Sequence, residues 1–105
     1  MADLTLTSAN FDEETKEGVI LVDFWAPWCG PCQSMMPIVE EVTTDFEGKA
    51  KVGKVNIDEQ PELAQKFGVM SIPTFKVLKD GEELASITGA VDKEKLVEEL
   101  NKALA

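Results

Sequence analysis

The spacing of apolar and polar residues changes period several times along the chain, and each change marks an element. Leu4-Thr5-Leu6-Thr7 alternates and predicts a short strand. Ser8 is a candidate N-cap for a short helix to about Lys16, which Gly18 stops. Val19 to Trp25 is apolar on both faces and rich in β-branched and aromatic residues, the pattern of a buried central strand. From Cys29 to Phe46 the apolar positions Met35, Met36, Val39, Val42 and Phe46 recur at helical spacing, and Gly48 closes the run. Pro37 falls inside this helix and predicts a bend, because it removes one backbone donor. Lys51 to Asp58 reads as another strand, and Pro61 opens a short helix ending near Gly68. Thr74 to Leu78 and Glu82 to Thr88 flank Lys79-Asp80-Gly81, where Asp-Gly signals a hairpin, and Gly89 breaks the second strand. Asp92 is placed to cap a last helix whose stripe is Leu96, Val97, Leu100 and Leu104.

The order is strand-helix-strand-helix-strand-helix-strand-strand-helix. Strands separated by helices favour parallel pairing, whereas the hairpin must be antiparallel. The expected architecture is therefore three-layer α/β: a central mixed sheet of about five strands flanked by four helices. A chain of 105 residues fits one domain, 1–105, and shows no internal repeat or low-complexity tract.

Composition adds exclusions. A hydrophobic fraction of 44% builds a core without disulfide stapling. Ten basic and 20 acidic residues give a net charge of −10, which repels phosphate backbones and anionic lipid. Neither nucleic acid nor membrane is expected as a partner, and the charge itself favours solubility. The start, Met1-Ala2-Asp3-Leu4-Thr5, has neither a basic nor an apolar leader region. The apolar run near the centre is broken by Asp23, far short of a membrane span. A reducing cytoplasm is the default compartment and a monomer the default state.

The candidate chemistry lies between the second strand and the long helix, in Trp25-Ala26-Pro27-Trp28-Cys29-Gly30-Pro31-Cys32, which holds the chain's two cysteines. A helix start carries unpaired N–H groups that stabilise negative charge, so a cysteine there loses its proton more easily. The thiolate is the nucleophile, and a second thiol three residues on can close a disulfide with it. Cys29, next to the strand, is expected to be the exposed attacker. Cys32, a turn deeper, is expected to be the resolving thiol, with burial suppressing its ionisation. Two other uses are weaker. A structural zinc needs four ligands, and the chain has no further Cys and no His, so only a metal-sharing dimer would serve. A bridge across two residues closes too small a loop to staple a fold. Gly30 and Pro31 matter by offering no charge: a histidine there would favour the thiolate and make the disulfide more oxidising, so this pair is expected toward the reducing end. Helix-start geometry alone also accounts for Gly-Pro.

Four segments together make the sequence resemble the thioredoxin family over essentially its whole length: Val22 to Cys32, then Lys54-Val55-Asn56-Ile57-Asp58, then Ser71-Ile72-Pro73-Thr74-Phe75, and the late Gly89. The resemblance implies the thioredoxin fold and a general protein-disulfide reductase that donates electrons to target proteins. It implies no bound cofactor beyond a Cys29–Cys32 disulfide. It also implies a partner thioredoxin reductase, which would carry flavin and draw on NADPH or, alternatively, ferredoxin; this chain has no Gly-rich dinucleotide fingerprint.

Asp23 interrupts an apolar strand, and a buried carboxylate without a partner is held protonated. It can be a satisfied structural aspartate; the resemblance makes it the buried acid that moves the Cys32 proton. Lys54 matches the family's lysine beside that carboxylate, where it would lower the Asp23 pKa, or it is an ordinary solvated lysine. The Ile72–Pro73 bond is implied to be cis, with its loop set against the cysteines and the Ile72 backbone offered to an extended substrate strand. Trp28 is expected to be partly exposed, forming an apolar landing surface with Met70, Ile72 and Ala90, while Gly89 leaves room for a partner's backbone. Trp25, Pro37 and the Met35-Met36 pair read as structural. Gln33 departs from the family, where Lys or Arg is common after the second cysteine, and this weakens the local positive potential.

A disulfide oxidase or isomerase, which a redox equilibrium with glutathione would reveal, is the nearest alternative function. A binding module acting through Trp28 and the Ile72-Pro73 surface is the alternative from another class. Replacing both cysteines by serine separates that role from redox work.

Overall fold

The computed structural model describes residues 3–105. Its elements are β1 (Leu4–Thr5), α1 (Phe11–Thr15), β2 (Val19–Trp25), α2 (Gly30–Asp45), β3 (Lys51–Asn56), α3 (Pro61–Lys66), β4 (Thr74–Lys79), β5 (Glu82–Thr88) and α4 (Lys93–Leu104). The predicted order holds. The strands form one mixed sheet, β1-β3-β2-β4-β5, with β1–β3 and β3–β2 parallel and β2–β4 and β4–β5 antiparallel. The run read as a buried central strand is the middle strand, and its alternation sorts the two cores. Val19 and Leu21 point into a core closed by Met35, Val39 and Val42 of α2 and Leu96 and Leu100 of α4. Ile20, Val22 and Phe24 point the other way, onto Phe11 of α1 and Leu63 of α3. Helices therefore cover both faces, as expected.

Several local expectations are corrected. Ser8 does not cap α1. Its N–H and hydroxyl both donate to Gln60 Oε1, at 2.9 and 3.1 Å, so the hydroxyl is turned away from the helix. A turn over 7–10 comes first, held by Thr7 N–H to Asn10 Oδ1 at 2.7 Å, and the helix starts at Phe11. The first strand is shorter than its alternating run, and β3 stops at Asn56 rather than Asp58. On α4, Leu104 is exposed and Ala103 takes the buried place beside Leu100. Met36 is only half-buried. The hairpin follows its sequence signal: Asp80 and Gly81 both have positive φ, 52° and 86°, the two-residue turn whose twist matches the strands.

One glycine is set by packing. Gly53 of β3 is buried, and a Cβ there would stand 2.5 Å from Leu6 Cδ1, itself fixed in the core. Leu6 runs beside β3, its N–H bonded to Lys54 O, and its side chain lies against Gly53, where a Cβ would collide with it.

Candidate active site

Strand direction brings four distant segments to one end of the sheet. β2 ends at Trp25 and leads into the cysteine loop. Parallel β3 ends beside it, with Asn56 opposite Trp25 and the Ile57 N–H donating to Trp25 O at 2.9 Å. Antiparallel β4 begins there, with Thr74 opposite Phe24. β5 ends there, with Thr88 opposite Thr74, and the Gly89 N–H donates to Pro73 O at 2.8 Å.

Cys29 is the N-cap of α2, in extended backbone, with Gly30 and Pro31 in the first turn. Proline fits there because its missing N–H would have had no helical partner. The N–H of Cys32 donates to Cys29 Sγ at 3.2 Å, so the sulfur takes the acceptor place that a capping serine or aspartate oxygen usually fills. Cys29 and Cys32 are bonded to each other, with Cα atoms 5.3 Å apart. The expectation that Cys29 is the exposed thiol is corrected for this disulfide form: Cys29 is 5% exposed and Cys32 4%. Ala26, Trp25, Ile57 and Ile72 pack around the pair. What separates the two is the helix start, which caps itself on Cys29.

Asp23 lies on the face of β2 that carries Val19 and Leu21, beneath α2. It is 4% exposed, and its Oδ1 has no hydrogen-bond partner. Burial pushes its carboxyl up to about 7; Lys54 pulls it down and Asp3 pushes it up. Lys54 stands directly across from Asp23 on β3, a register the sequence left open. Its ammonium is neither solvated freely nor paired with Asp23: Nζ lies 3.7 Å from Asp3 Oδ2 and 5.1 Å from the Trp25 ring centroid.

The surface around the disulfide follows the sequence in part. Trp28 is 67% exposed and Met70 95%. Ile72 packs on the cysteines, and Ala90 is exposed. The Ile72–Pro73 bond is cis. Gly89 has φ of +93°, so glycine is favoured there by backbone conformation; nothing in the chain lies within 4 Å of where its Cβ would be. Gly30 also meets open space at its missing Cβ. Gln33, in place of a cation, donates from Nε2 to Pro27 O at 3.1 Å and ties the helix back to the loop before it.

Two residues of the site went unassigned in the sequence. Asp58 Oδ2 accepts the Trp28 indole N–H at 2.8 Å. The hydrogen bond holds the ring of an exposed tryptophan beside Cys29, and the Asp at the end of the Lys54 to Asp58 segment was the available signal. Asp3, the partner of Lys54, carried no signal at all. Among the described residues no group of three or more His, Cys, Asp or Glu is placed to hold a metal ion, and no helix is long and apolar enough to cross a membrane.

Comparison with known proteins agrees with this geometry. The sequence model of the family described as Thioredoxin matches residues 2–102. The chain is 51% identical to a thioredoxin of Staphylococcus haemolyticus (strain JCSC1435) over 104 residues, covering 99% of this chain and 100% of that protein. It is 49% identical, with the same coverage, to thioredoxins of Staphylococcus saprophyticus and Staphylococcus aureus (strain Mu50 / ATCC 700699).

Proposed function

The chain belongs to the thioredoxin family, and we propose from that premise how its residues divide the work. The protein is a protein-disulfide reductase that acts by dithiol–disulfide exchange through Cys29 and Cys32. It uses no cofactor beyond that redox-active pair, and disulfide-bearing proteins and thioredoxin reductase are its general partners.

In the reduced protein Cys29 is the nucleophile. Its thiolate attacks one sulfur of a substrate disulfide; a Cys29–substrate bond forms, the substrate's own S–S bond breaks, and the first substrate sulfur leaves as thiolate. Cys32 then gives its proton to the Asp23 carboxylate and attacks Cys29 Sγ. The Cys29–Cys32 bond forms, the second substrate thiolate leaves, and two electrons have passed to the substrate. Holding Cys32 three residues from Cys29 makes this second attack intramolecular. An acid titrating at about 7 suits Asp23 to take and return a proton at neutral pH. Lys54 tunes Asp23. Trp28, Met70, Ile72, Gly89 and Ala90 receive the substrate, and Gly30, Pro31 and cis-Pro73 shape the site.

One observation carries the assignment: the helix caps itself on Cys29 Sγ and not on Cys32. The test is insulin reduction by dithiothreitol. Wild type accelerates it and Cys29→Ser does not; no acceleration by wild type overturns the reductase reading. Cys32→Ser accumulates a mixed disulfide through Cys29, visible by mass.

Residues 1–105 are read as one domain, a cytoplasmic monomer without nucleic-acid or membrane partners. The charge of −10 supports the last two exclusions. A flavin-containing, NADPH-linked reductase is the expected electron source, tested by thioredoxin-dependent oxidation of NADPH against a ferredoxin-linked enzyme.

A further inference from the structure

We propose that Asp3 is a positioning residue for the exchange reaction: its carboxylate holds the Lys54 ammonium at the edge of the sheet, away from Asp23. The proposal rests on Asp23 acting as the proton acceptor of Cys32. The β1–β3–β2 register places Thr5, Lys54 and Asp23 in one row across three strands. Asp3, just before β1, reaches the same face, since its carboxylate approaches Lys54 Nζ. Lys54 thus stands between two carboxylates and can neutralise only one of them well.

The geometry shows which. Lys54 Nζ is 3.7 Å from Asp3 Oδ2, with side-chain exposures of 17% and 21%. Among the described residues no ion pair within 4.0 Å joins it to Asp23, whose Oδ1 is buried and unpartnered. The Trp25 ring centroid lies 5.1 Å from the same ammonium and gives it a second partner other than Asp23. A pair this shielded is only partly screened by salt. Asp3 then acts on Asp23 twice with one sign: its own negative charge opposes ionisation, and it occupies the cation that would favour it. Burial and Asp3 accordingly raise the Asp23 pKa against the pull of Lys54.

The other groups turned toward Asp23 do not replace this pair. β4 offers Phe75 across from it, and α4 brings Leu96 and Leu100 to the same core. α2 carries Cys32, which is held in the disulfide with Cys29 in the oxidised protein tested below. Glu59 lines the cleft that also holds Asp3, Trp25 and Lys54, and it is exposed.

The test is a titration of the Asp23 carboxyl carbon by NMR on the oxidised protein, with no substrate present. In Asp3→Asn the midpoint falls by about one unit, a tenfold loss of proton affinity, the low end of what a nearby cation does to a carboxylate. In Glu59→Gln, which removes an equal charge from the same cleft, the midpoint stays at the wild-type value. With Lys54→Met as background, Asp3→Asn shifts the midpoint by less than half as much. An unchanged or raised midpoint in Asp3→Asn overturns the proposal, as does an equal shift in Glu59→Gln or an undiminished one with Lys54→Met. Failure here removes the role of Asp3 and leaves disulfide exchange itself to the insulin assay.

Discussion

Replacing Asp23 by asparagine should stabilise the protein at alkaline pH and leave it almost unchanged in acid. Asp23 is buried, and burial pushes its carboxyl from 3.8 up to about 7. In the unfolded chain the same carboxyl is solvated and titrates at its ordinary value. Below pH 3.8 both states hold the proton, and Asp23 carries no penalty. As the pH rises from there to about 7, the unfolded chain releases its proton while the folded one retains it, so stability falls. Above about 7 the loss is complete and constant. A shift of roughly three units at ~1.4 kcal/mol each gives about 4 kcal/mol. The Asp23→Asn side chain does not titrate, so the stability gap between variant and wild type opens over this window. The assay is guanidinium unfolding of both oxidised proteins at a series of pH values, followed by the fluorescence of Trp25 and Trp28. With a denaturant slope of ~3 kcal/mol/M, the midpoints separate by about 1.3 M at pH 8 relative to their separation at about pH 3.5. Curves that run parallel from about pH 4 to 8 would refute the claim that folding holds this carboxyl neutral.

In the reduced protein, Cys29 should alkylate with a pH midpoint below the ~8.5 of a free thiol. Iodoacetamide kinetics across a pH series check this, and a rate matching that of an unstructured peptide thiol would remove the helix-start argument. Gly53→Ala should cost about 1–3 kcal/mol, because its Cβ would press on the buried Leu6 side chain and the core must shift to admit it; thermal unfolding at one pH reads the loss. Asp58→Ala removes the acceptor of the Trp28 indole, an exposed hydrogen bond worth about 1 kcal/mol or less to stability. It should instead raise KM for protein disulfides while kcat changes little, since the ring it frees belongs to the proposed landing surface beside Cys29.

Much of this arrangement is legible in the chain because its signals are local or periodic. The run from Val19 to Trp25 marks the central strand, and its near-continuous apolarity shows that both faces are covered. Asp80-Gly81 sets the hairpin through backbone conformation alone. Ser8 misleads because its hydroxyl is claimed by Gln60, 52 residues away, a tertiary bond with no local trace. The exposure of Cys29 is misread for a similar reason: Ile57 and Ile72 arrive from other segments to cover the cysteine pair. Register is what the sequence withholds. Lys54 can be placed opposite Asp23 only once β3 is aligned on β2, and Asp3 only once β1 is aligned on β3.

The parity of one strand explains why stability and chemistry are tied together here. Successive side chains of β2 face opposite cores, and only its odd row, Val19, Leu21, Asp23 and Trp25, lies beneath α2 and the cysteines. A proton acceptor for Cys32 on this strand must sit in that row, between Leu21 and Trp25, where water is excluded. The exclusion raises its pKa to about 7, the property on which the proposed proton transfer relies; the same exclusion destabilises the folded protein once the solution is neutral. No substitution at position 23 can relieve the second effect and keep the first, because both are one desolvation. Variants selected only for stability at about pH 8 should therefore lose Asp23 first, and sequencing such a selection against one that also demands disulfide reduction would show whether that residue is retained for its proton.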